Sequence, residues 1–501
     1  MNWPRFYLIM TMLLLATNLA MAQQMPGNGA PASETVQSKV ERLAAIVAQV
    51  ESELESSQRQ IQQLRQQIAD LQADVSAPGT ASAAKPLQEG QEDTVAQLSA
   101  AVGALREQED LQQSEIAIHE QTKVESESRF PVKLTGLILM NSFVNTGGVD
   151  VIQSPTLATN GRGTTGFTLR QSVFGLDARG PHVFGGISAA DVRVDFFGGL
   201  GEGSYANSDQ VLRLRTAHAE VSWDKTRAFV EMDRPIVNPN APTSLTAVAQ
   251  PALAWSGNLW NWVPQVGVEQ ALLQDGSSRV TIQGALADIP DPVTPGATNA
   301  TLPVGSLAEQ SRRPATEARL GYSLGDKTAG LQLGAGGYFS PHSEGNDLHF
   351  DAWAATVDFR APLTAKLEAS GSLYRGSALG GLGGGTFKDY LYKQEGGYDF
   401  FRALDDVGGW TQLKARVSER LEFNAAYGID NAFAGEIRGY LNAGSGAYQS
   451  LARNSTVFAN AIYSPTAYTL FSMEYRRIDS SPAAGPHSVT NVYGVATGYR
   501  F

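Results

Sequence analysis

The chain has 501 residues, among them 51 glycines and no cysteine, and 38 basic against 50 acidic side chains give a net charge of −12. The lack of cysteine excludes disulfides and thiolate metal sites, and the acidic balance disfavours a nucleic-acid partner. The mean hydropathy is −0.18, and no 18-residue apolar run follows the N-terminus, which excludes a bundle of membrane helices. A membrane β-barrel remains possible, because barrel strands are apolar only at every second residue.

Residues 1–22 are predicted to be a cleaved signal peptide. Arg5 gives a positive start, residues 6–19 are apolar, and Ala-Met-Ala at 20–22 matches a cleavage site. Removing Arg5 changes the net charge from −12 to −13. The protein is therefore predicted to be exported, and a retained membrane anchor is the alternative.

After a short segment at 23–33, residues 34–75 repeat every seven positions. One apolar position holds Val40, Val47, Leu54, Ile61, Ile68 and Val75, and the other holds Val36, Leu43, Val50, Leu64 and Leu71, with Ser57 as the polar break. Six such heptads predict a coiled coil, and a single amphipathic helix on a globular core is the alternative. β-Branched residues at one position with mostly Leu at the other favour a dimer.

Two further segments separate the heptads from the rest of the chain. Residues 76–91 are small, polar and proline-bearing, which predicts a linker. Residues 92–129 are predicted to be a second helical segment and a connector. Its heptad positions are Val95, Leu98, Val102 and Leu105, and the pattern slips after Glu109.

From residue 130 to 501 the apolar period becomes two, which indicates β-strands. In one segment Val192 and Val194 alternate with Asp191, Arg193 and Asp195. Sixteen such segments occur, at 132–146, 164–178, 186–199, 209–223, 226–234, 263–273, 279–288, 314–324, 329–340, 349–361, 365–376, 409–418, 421–431, 454–464, 467–478 and 489–501. The fold class predicted is an all-β transmembrane barrel of about 16 antiparallel strands, preceded by an α-helical coiled coil.

The connections between these segments alternate in length. Short turns lie at 179–185, 224–225, 274–278, 325–328, 362–364, 419–420 and 465–466. Long loops lie at 147–163, 200–208, 235–262, 289–313, 341–348, 377–408, 432–453 and 479–488. This asymmetry is typical of an outer-membrane barrel with both termini in the periplasm. A soluble β-sandwich, the alternative, needs neither an even strand count nor such an asymmetry.

The last segment predicts the strand that closes the barrel in the membrane. Tyr493, Val495, Tyr499 and Phe501 share one face, and the chain stops at an aromatic residue. Aromatic girdles of barrels lie at the lipid–water interface. The C-terminal strand is therefore also predicted to contact the barrel-assembly machinery.

With these features the chain resembles Gram-negative trimeric porins and, more narrowly, the DcaP-like porins, which carry a periplasmic coiled coil ahead of a sixteen-stranded barrel. The likeness covers nearly the whole mature chain. It rests on the heptads at 34–75, PVKLTGLILMNSF at 131–143, RQSVFGLDARG at 170–180, LRLRTAHAEVSW at 212–223 and YGVATGYRF at 493–501. The resemblance implies a homotrimer with a trimeric coiled coil, and passive diffusion of small hydrophilic solutes, with anionic organic acids such as dicarboxylates as cargo.

Charged residues at the narrowest level of a pore set its selectivity. The alternation and the distances to the turns place a basic patch near mid-barrel, made of Arg170, Arg193, Arg213 and Arg215. Lys414 and Arg416 lie on the opposite side of the barrel, nearer the turns. The acidic counterparts are Asp191, Asp195, Glu231 and Asp233. The patch predicts a weak preference for anions, and the alternative is that Arg193 simply pairs with Asp191 and Asp195.

Loop 235–262 has no charged residue, three prolines before position 243, and Trp255, Trp260 and Trp262. The resemblance implies that this loop folds inward and narrows the bore. It then offers the patch four neutral polar side chains, Asn238, Asn240, Thr243 and Ser244. The alternative is an apolar loop that packs over the rim or into a subunit interface.

Catalysis has little support in the sequence. The six histidines show no metal spacing, and neither G-x-S-x-G nor a P-loop occurs. We predict a porin without enzyme activity, cofactor or metal, in the outer membrane with its coiled coil in the periplasm and in contact with membrane lipid and lipopolysaccharide. The alternative function is a tether or adhesin, in which the coiled coil grips periplasmic or cell-wall material and loops 377–408 and 432–453 form the working surface.

Overall fold

The computed structural model describes residues 132–198, 211–292, 305–325, 330–344, 348–441 and 445–501. The predicted signal peptide, coiled coil, linker and second helical segment lie outside these residues, so their boundaries stay predictions. No helix in the described ranges is long and apolar enough to cross a bilayer.

Strands dominate the described chain. They are β1 (Val132–Val149), β2 (Ala158–Thr168), β3 (Val173–Val183), β4 (Gly186–Asp195), β5 (Arg213–Ser222), β6 (Thr226–Asp233), β7 (Val263–Asp275), β8 (Ser278–Ala287), β9 (Ala315–Leu324), β10 (Leu331–Glu344), β11 (Leu348–Pro362), β12 (Leu367–Ser377), β13 (Tyr390–Glu395), β14 (Tyr398–Ala403), β15 (Asp405–Ser418), β16 (Leu421–Ala432), β17 (Leu451–Tyr463), β18 (Thr469–Pro482) and β19 (Ser488–Arg500). Short helices lie in the long loops: α1 (Leu307–Gln310), α2 (Ala434–Tyr440) and α3 (Ala447–Ser450).

Antiparallel pairing closes these strands into a barrel. Each strand pairs with the next along the chain, except that β2 and β3 both pair with β1 and that β12 pairs with β15 past the separate β13–β14 hairpin. β1 also pairs with β19, which closes the ring. β2 and β3 share one position, because β2 pairs with the second half of β1 and β3 with the first half. The barrel thus has sixteen strand positions, which confirms the predicted barrel architecture.

The two faces of each strand differ as they do in a membrane barrel. On β18, Phe471, Met473 and Tyr475 point outward and are exposed, whereas Glu474 and Arg476 point inward and are buried. Such a wall leaves a broad apolar surface outside and polar side chains inside. A surface of this kind is stable against lipid, not against water.

The closing strand is fixed by its last residue. The N–H of Phe501 donates to the carbonyl of Gly136 at 3.0 Å, and the N–H of Gly136 donates back at 3.0 Å. The Phe501 ring covers Gly136, where any Cβ would collide with it. On the outer face Tyr499 stacks with Tyr468, and Tyr493 and Val495 are exposed like Tyr499. An aromatic row therefore lies at the short-turn end of the barrel.

Two elements differ from the sequence prediction. The segment predicted as one strand at 164–178 is interrupted at 169–172, where Gln171 turns inward and accepts hydrogen bonds from the backbone N–H groups of Val248 and Ala249 at 2.7 and 3.0 Å. The predicted loop 377–408 contains the β13–β14 hairpin and two 3-10 turns. The first difference arises from contacts with loop 235–262, whereas the second is a local hairpin that turns at Gly396 and Gly397.

Candidate pore constriction

Loop 235–262 lies inside the barrel. The N–H of Thr243 donates to Oε1 of Gln412 on β15 at 2.6 Å, and the hydroxyl of Ser244 donates to Oε2 of Glu474 on β18 at 2.6 Å. Gln412 and Glu474 both belong to the inward rows of their strands. The loop therefore crosses the interior and narrows the bore.

The returning half of the loop also packs on the wall. Asn454 on β17 donates to the carbonyl of Trp255 at 2.8 Å. Gly257 has a φ of +91°, and a side chain there would collide with the carbonyl oxygens of Gly409 and Ile429. Backbone meets backbone at this point, so only glycine fits.

A second loop, residues 378–404, folds onto the first. Phe387 stacks on Trp255 with the ring centroids 3.8 Å apart. The N–H of Gly385 donates to Asp406 at 2.8 Å, and the N–H of Thr386 donates to Asp430 at 2.7 Å. These carboxylates on β15 and β16 hold the loop against the wall.

Lys388 is buried at the base of this second loop. Its Nζ donates to the carbonyls of Thr386, Tyr448 and Leu451 at 2.7, 3.0 and 2.8 Å. Burial lowers the pKa of Lys388 to about 7, although the charge of Asp430 acts in the opposite direction. This role was not predictable from the sequence, because a lysine in a long loop is usually solvated.

Two of the predicted arginines share one buried carboxylate. Arg213 donates to both oxygens of Asp195 at 3.1 and 2.7 Å and to the carbonyl of Ala249 at 2.7 Å. Arg215 lies 3.8 Å from Asp195 and 4.9 Å from the ring centroid of Trp262. Asp195 is fully buried, while both arginines remain partly exposed. The pair therefore adds net positive charge at this level.

Arg170 joins the same group from the β2–β3 break. Its Nε donates to the carbonyl of Phe196 at 3.2 Å, and its Nη1 donates to Gln153 at 3.1 Å. Its guanidinium lies 4.4 Å from the ring centroid of Phe197, which Arg213 approaches at 5.8 Å. The structure thus brings three of the four predicted arginines together.

Arg193 stands apart from that group. It contacts Asp177 and lies 3.6 Å from Asp191. The reason is a bulge in the β4–β5 pairing, which sets Arg193 opposite Thr216 and Asp195 opposite Arg213. The prediction of a single patch of four arginines is therefore wrong for Arg193. Of the two partners in the alternative prediction, Asp191 and Asp195, only Asp191 lies close to Arg193.

The same bulge turns inward a residue that the alternation of the sequence did not predict there. Strict alternation from Arg215 places His218 on the outer face. In the structure His218 points inward, with Nδ1 3.0 Å from Asp191 and Nε2 3.0 Å from Asp233. Two predicted acidic residues are therefore linked through an imidazole.

The remaining predicted charges also lie near partners. Arg227 is 3.0 Å from Glu231, which also accepts a hydrogen bond from Gln265 at 3.1 Å. On β15, Arg416 is 3.4 Å from Glu368 of β12, and Lys414 is opposite Glu368 in the strand register. Lys414 and Arg416 lie on inward positions closer to the short turns.

The four polar loop residues bind the protein instead of facing the arginines. Asn238 is 1% exposed and donates to the carbonyl of Leu259 at 2.7 Å. Asn240 donates to Asp358 of β11 at 3.3 Å, while Thr243 and Ser244 bond to the wall as described above. The physical reason is that buried polar groups of the wall need partners, and the loop supplies them.

The interior consequently has two unlike sides. The covered wall comprises the inward side chains of β11 and β15–β18, which contact the two loops. The open wall comprises the inward side chains of β4–β8, except for those such as Arg213 and Arg215 that contact Ala249 or Trp262 of loop 235–262. A cleft of about 230 Å³ separates part of the open wall from the start of loop 235–262. It is lined by His218, Arg227, Glu231, Asp233, Arg234, Pro235, Ile236, Pro239, Gln283 and Arg319.

The chemistry of this interior is that of paired charges. In the part of the chain that the structure describes, no three histidine or carboxylate side chains are grouped so that they could hold a metal ion. Cations and carboxylates alternate along the open wall within hydrogen-bonding distance. Such a surface can exchange contacts with hydrated solutes passing along it.

No protein-family model matches the chain, and no curated protein matches it. Among solved structures, the outer membrane channel DcaP of Acinetobacter baumannii matches with a TM-score of 0.54 and 17% identity, over 75% of this chain and 99% of that one. Salmonella typhi OmpF in complex with daunomycin gives 0.48 and 11% over 74% and 97%, and Pseudomonas putida OprB gives 0.44 and 10% over 74% and 94%. The barrel therefore has the fold of the outer membrane channel DcaP, as the resemblance in the sequence predicted.

Proposed function

We propose that the protein is an outer-membrane porin, a water-filled channel for the passive diffusion of small hydrophilic solutes. The observation that carries this proposal is the open wall inside a closed barrel with an apolar exterior. On that wall the side chains of Arg193 and Asp191 are 29% and 32% exposed although they point inward. Partly exposed charges in an interior indicate water there, because dry burial of so many ions is costly.

We further propose a weak preference for anions, including dicarboxylates. Arg213 and Arg215 share the single carboxylate of Asp195, so this pair has one more positive than negative charge, and Arg170 lies on the same Phe197 ring as Arg213. Loop 235–262, which lies beside them, has no charged residue. A low-dielectric wall focuses such a field into the bore, so the local charge outweighs the net charge of the whole chain.

Planar-bilayer recordings test both proposals. The reconstituted protein is expected to conduct, and reversal potentials under a salt gradient are expected to show anion preference. Arg213→Gln with Arg215→Gln should move the reversal potential towards cations. Arg279→Gln is the matched control, because Arg279 lies near a short turn and is paired 1:1 with Glu269 at 3.0 Å.

The outcomes separate the two proposals. No conductance would contradict the porin function itself. Conductance with cation preference, or an unchanged reversal potential in the double variant, would contradict the arginine filter alone. The anion preference should become weaker at high salt, since the screening length falls to about 3 Å at 1 M.

We also propose a homotrimer in the outer membrane, with the coiled coil at 34–75 in the periplasm and the last strand engaging the barrel-assembly machinery. The heptads support this, because each apolar seam needs partners to bury it. Light scattering on the detergent-extracted full chain should give three copies. Monomers alone would contradict the trimer.

A further inference from the structure

A groove of about 610 Å³ lies on the outside of the barrel at the long-loop end of β6–β9. Its floor includes Val230, Val266 and Leu286, which are 62, 50 and 47% exposed. These are outward positions, since their neighbours Phe229, Gln265 and Ala285 point inward and are buried. The floor is therefore continuous with the wall that faces the bilayer.

Two arginines stand at the upper edge of the groove. Arg312 and Arg313 both line it and both are exposed. Neither makes an ion pair with any residue that the structure describes. They follow Ser311, the C-cap of α1, and Arg312 has a φ of +60°, so a tight turn fixes where the pair projects.

The acidic groups at the same edge do not neutralise the pair. Glu309 accepts a hydrogen bond from the N–H of Ser306 at 2.5 Å as part of a capping box, so its carboxylate is turned towards its own helix. Asp288 and Glu231 also line the groove, but neither forms an ion pair with Arg312 or Arg313, and Glu231 pairs with Arg227 at 3.0 Å instead. The two guanidiniums are thus the groups best placed to bind an external anion.

The groove has an apolar floor at membrane depth and two guanidiniums above it. This arrangement is complementary to an acylated lipid that carries phosphate in its headgroup. Acyl chains lie along valine and leucine side chains, and guanidiniums bind phosphate through paired hydrogen bonds. Two adjacent arginines suit a headgroup with more than one phosphate. In an outer membrane the long loops face the leaflet of lipopolysaccharide, whose lipid A is a bis-phosphorylated, multiply acylated glycolipid.

We propose that this groove is a lipid A binding site, with phosphate on Arg312 and Arg313 and acyl chain along Val230, Val266 and Leu286. The inference rests on the proposed outer-membrane location. The lipid contact lies on one outer segment of the barrel, at the groove, and solutes in the bore do not touch this groove.

Native mass spectrometry of the detergent-extracted full chain tests the site, with bis-phosphorylated lipid A as the titrated probe. The test variant carries Arg312→Asn and Arg313→Gln, since asparagine tolerates a positive φ. The control variant is Arg420→Gln, an exposed arginine in a short turn at the opposite rim. At about 1 kcal/mol for each arginine near an anionic lipid surface, the double variant should bind lipid A about thirtyfold more weakly, and the control should bind like wild type.

The result is read together with conductance and a second probe. Both variants should conduct like wild type, because the groove lies outside the bore, so a loss of lipid binding cannot be confused with a failed channel. Dephosphorylated lipid A should bind wild type as weakly as lipid A binds the double variant. The assignment would be overturned if the double variant bound lipid A as tightly as wild type does. It would also be overturned if Arg420→Gln lost as much binding as the double variant, or if phosphatidylglycerol bound as tightly as lipid A.

Discussion

The open wall and the covered wall have the same strand pattern but different surroundings. On the open wall Arg193 and Asp191 are 29% and 32% exposed, whereas on the covered wall Arg476 and Glu474 are 6% and 2% exposed. Both are inward charge pairs on amphipathic strands. The difference comes from loop 235–262, which contacts only the second pair, so a loop decides which half of the bore stays hydrated.

The covered pair shows what such burial requires. Glu474 accepts hydrogen bonds from Ser244, Thr246 and Asn460 at 2.6, 2.7 and 3.0 Å, in addition to Arg476 at 2.6 Å. A buried ion pair is stable only when its remaining hydrogen-bonding positions are filled. The loop is therefore a structural partner of this wall as well as an obstruction in the bore.

The largest effect is expected from Glu474→Ala. The change leaves Arg476 buried without its carboxylate and removes the acceptor for Ser244 and Thr246, so the free energy of unfolding should fall by about 3–5 kcal/mol. The matched change on the open wall is Glu269→Ala, where the partner Arg279 is 24% exposed and water can replace the lost carboxylate. It should cost about 1 kcal/mol or less.

Urea unfolding in detergent, followed by gel mobility of the folded barrel, measures both variants. Equal losses of stability would show that the two walls do not differ in hydration.

A smaller effect is expected from Gly257→Val. The side chain has no space between the carbonyls of Gly409 and Ile429, so the loop must leave the wall, and overpacking of this kind costs about 1–3 kcal/mol. Liposome swelling should then admit larger neutral sugars than wild type does.

Gly276→Ala is the control for backbone strain. Gly276 also has a positive φ, +52°, but nothing lies within 4 Å of its Cβ position in the short turn after β7. If both variants admitted larger sugars, strain and not loop displacement would be responsible.

The smallest effect on the bore is expected from deleting residues 34–75. A porin whose wall is built from β1–β12 and β15–β19 should keep its conductance per channel, while a tether should lose envelope integrity. Conductance lost along with the heptads would contradict an independent barrel.

The strand pattern was predictable because it is local. A lipid-facing wall needs an apolar side chain at every second residue, and most turns joining the strands are only a few residues long, so β15 to β19 match the predicted segments closely. The break at Arg170 and Gln171 was not predictable, since it depends on a loop some 75 residues away in the chain.

The constriction was only partly predictable for a similar reason. Alternation identified Arg213 and Arg215 as inward residues, but one bulge separates Arg193 from them and turns His218 inward. Which carboxylate each arginine meets depends on register between strands. The path of loop 235–262 depends on partners such as Gln412 and Glu474, which lie far along the sequence.

The absence of cysteine permits the most direct test of the central claim, that solutes pass along the open wall. Gln283→Cys places a single thiol in the cleft on β8, and Ser472→Cys places one on the covered wall, where Ser472 is 2% exposed. A charged methanethiosulfonate reagent added during bilayer recording should quickly reduce the current through Gln283→Cys and leave that through Ser472→Cys unchanged. Block of Ser472→Cys with no effect on Gln283→Cys would contradict the account.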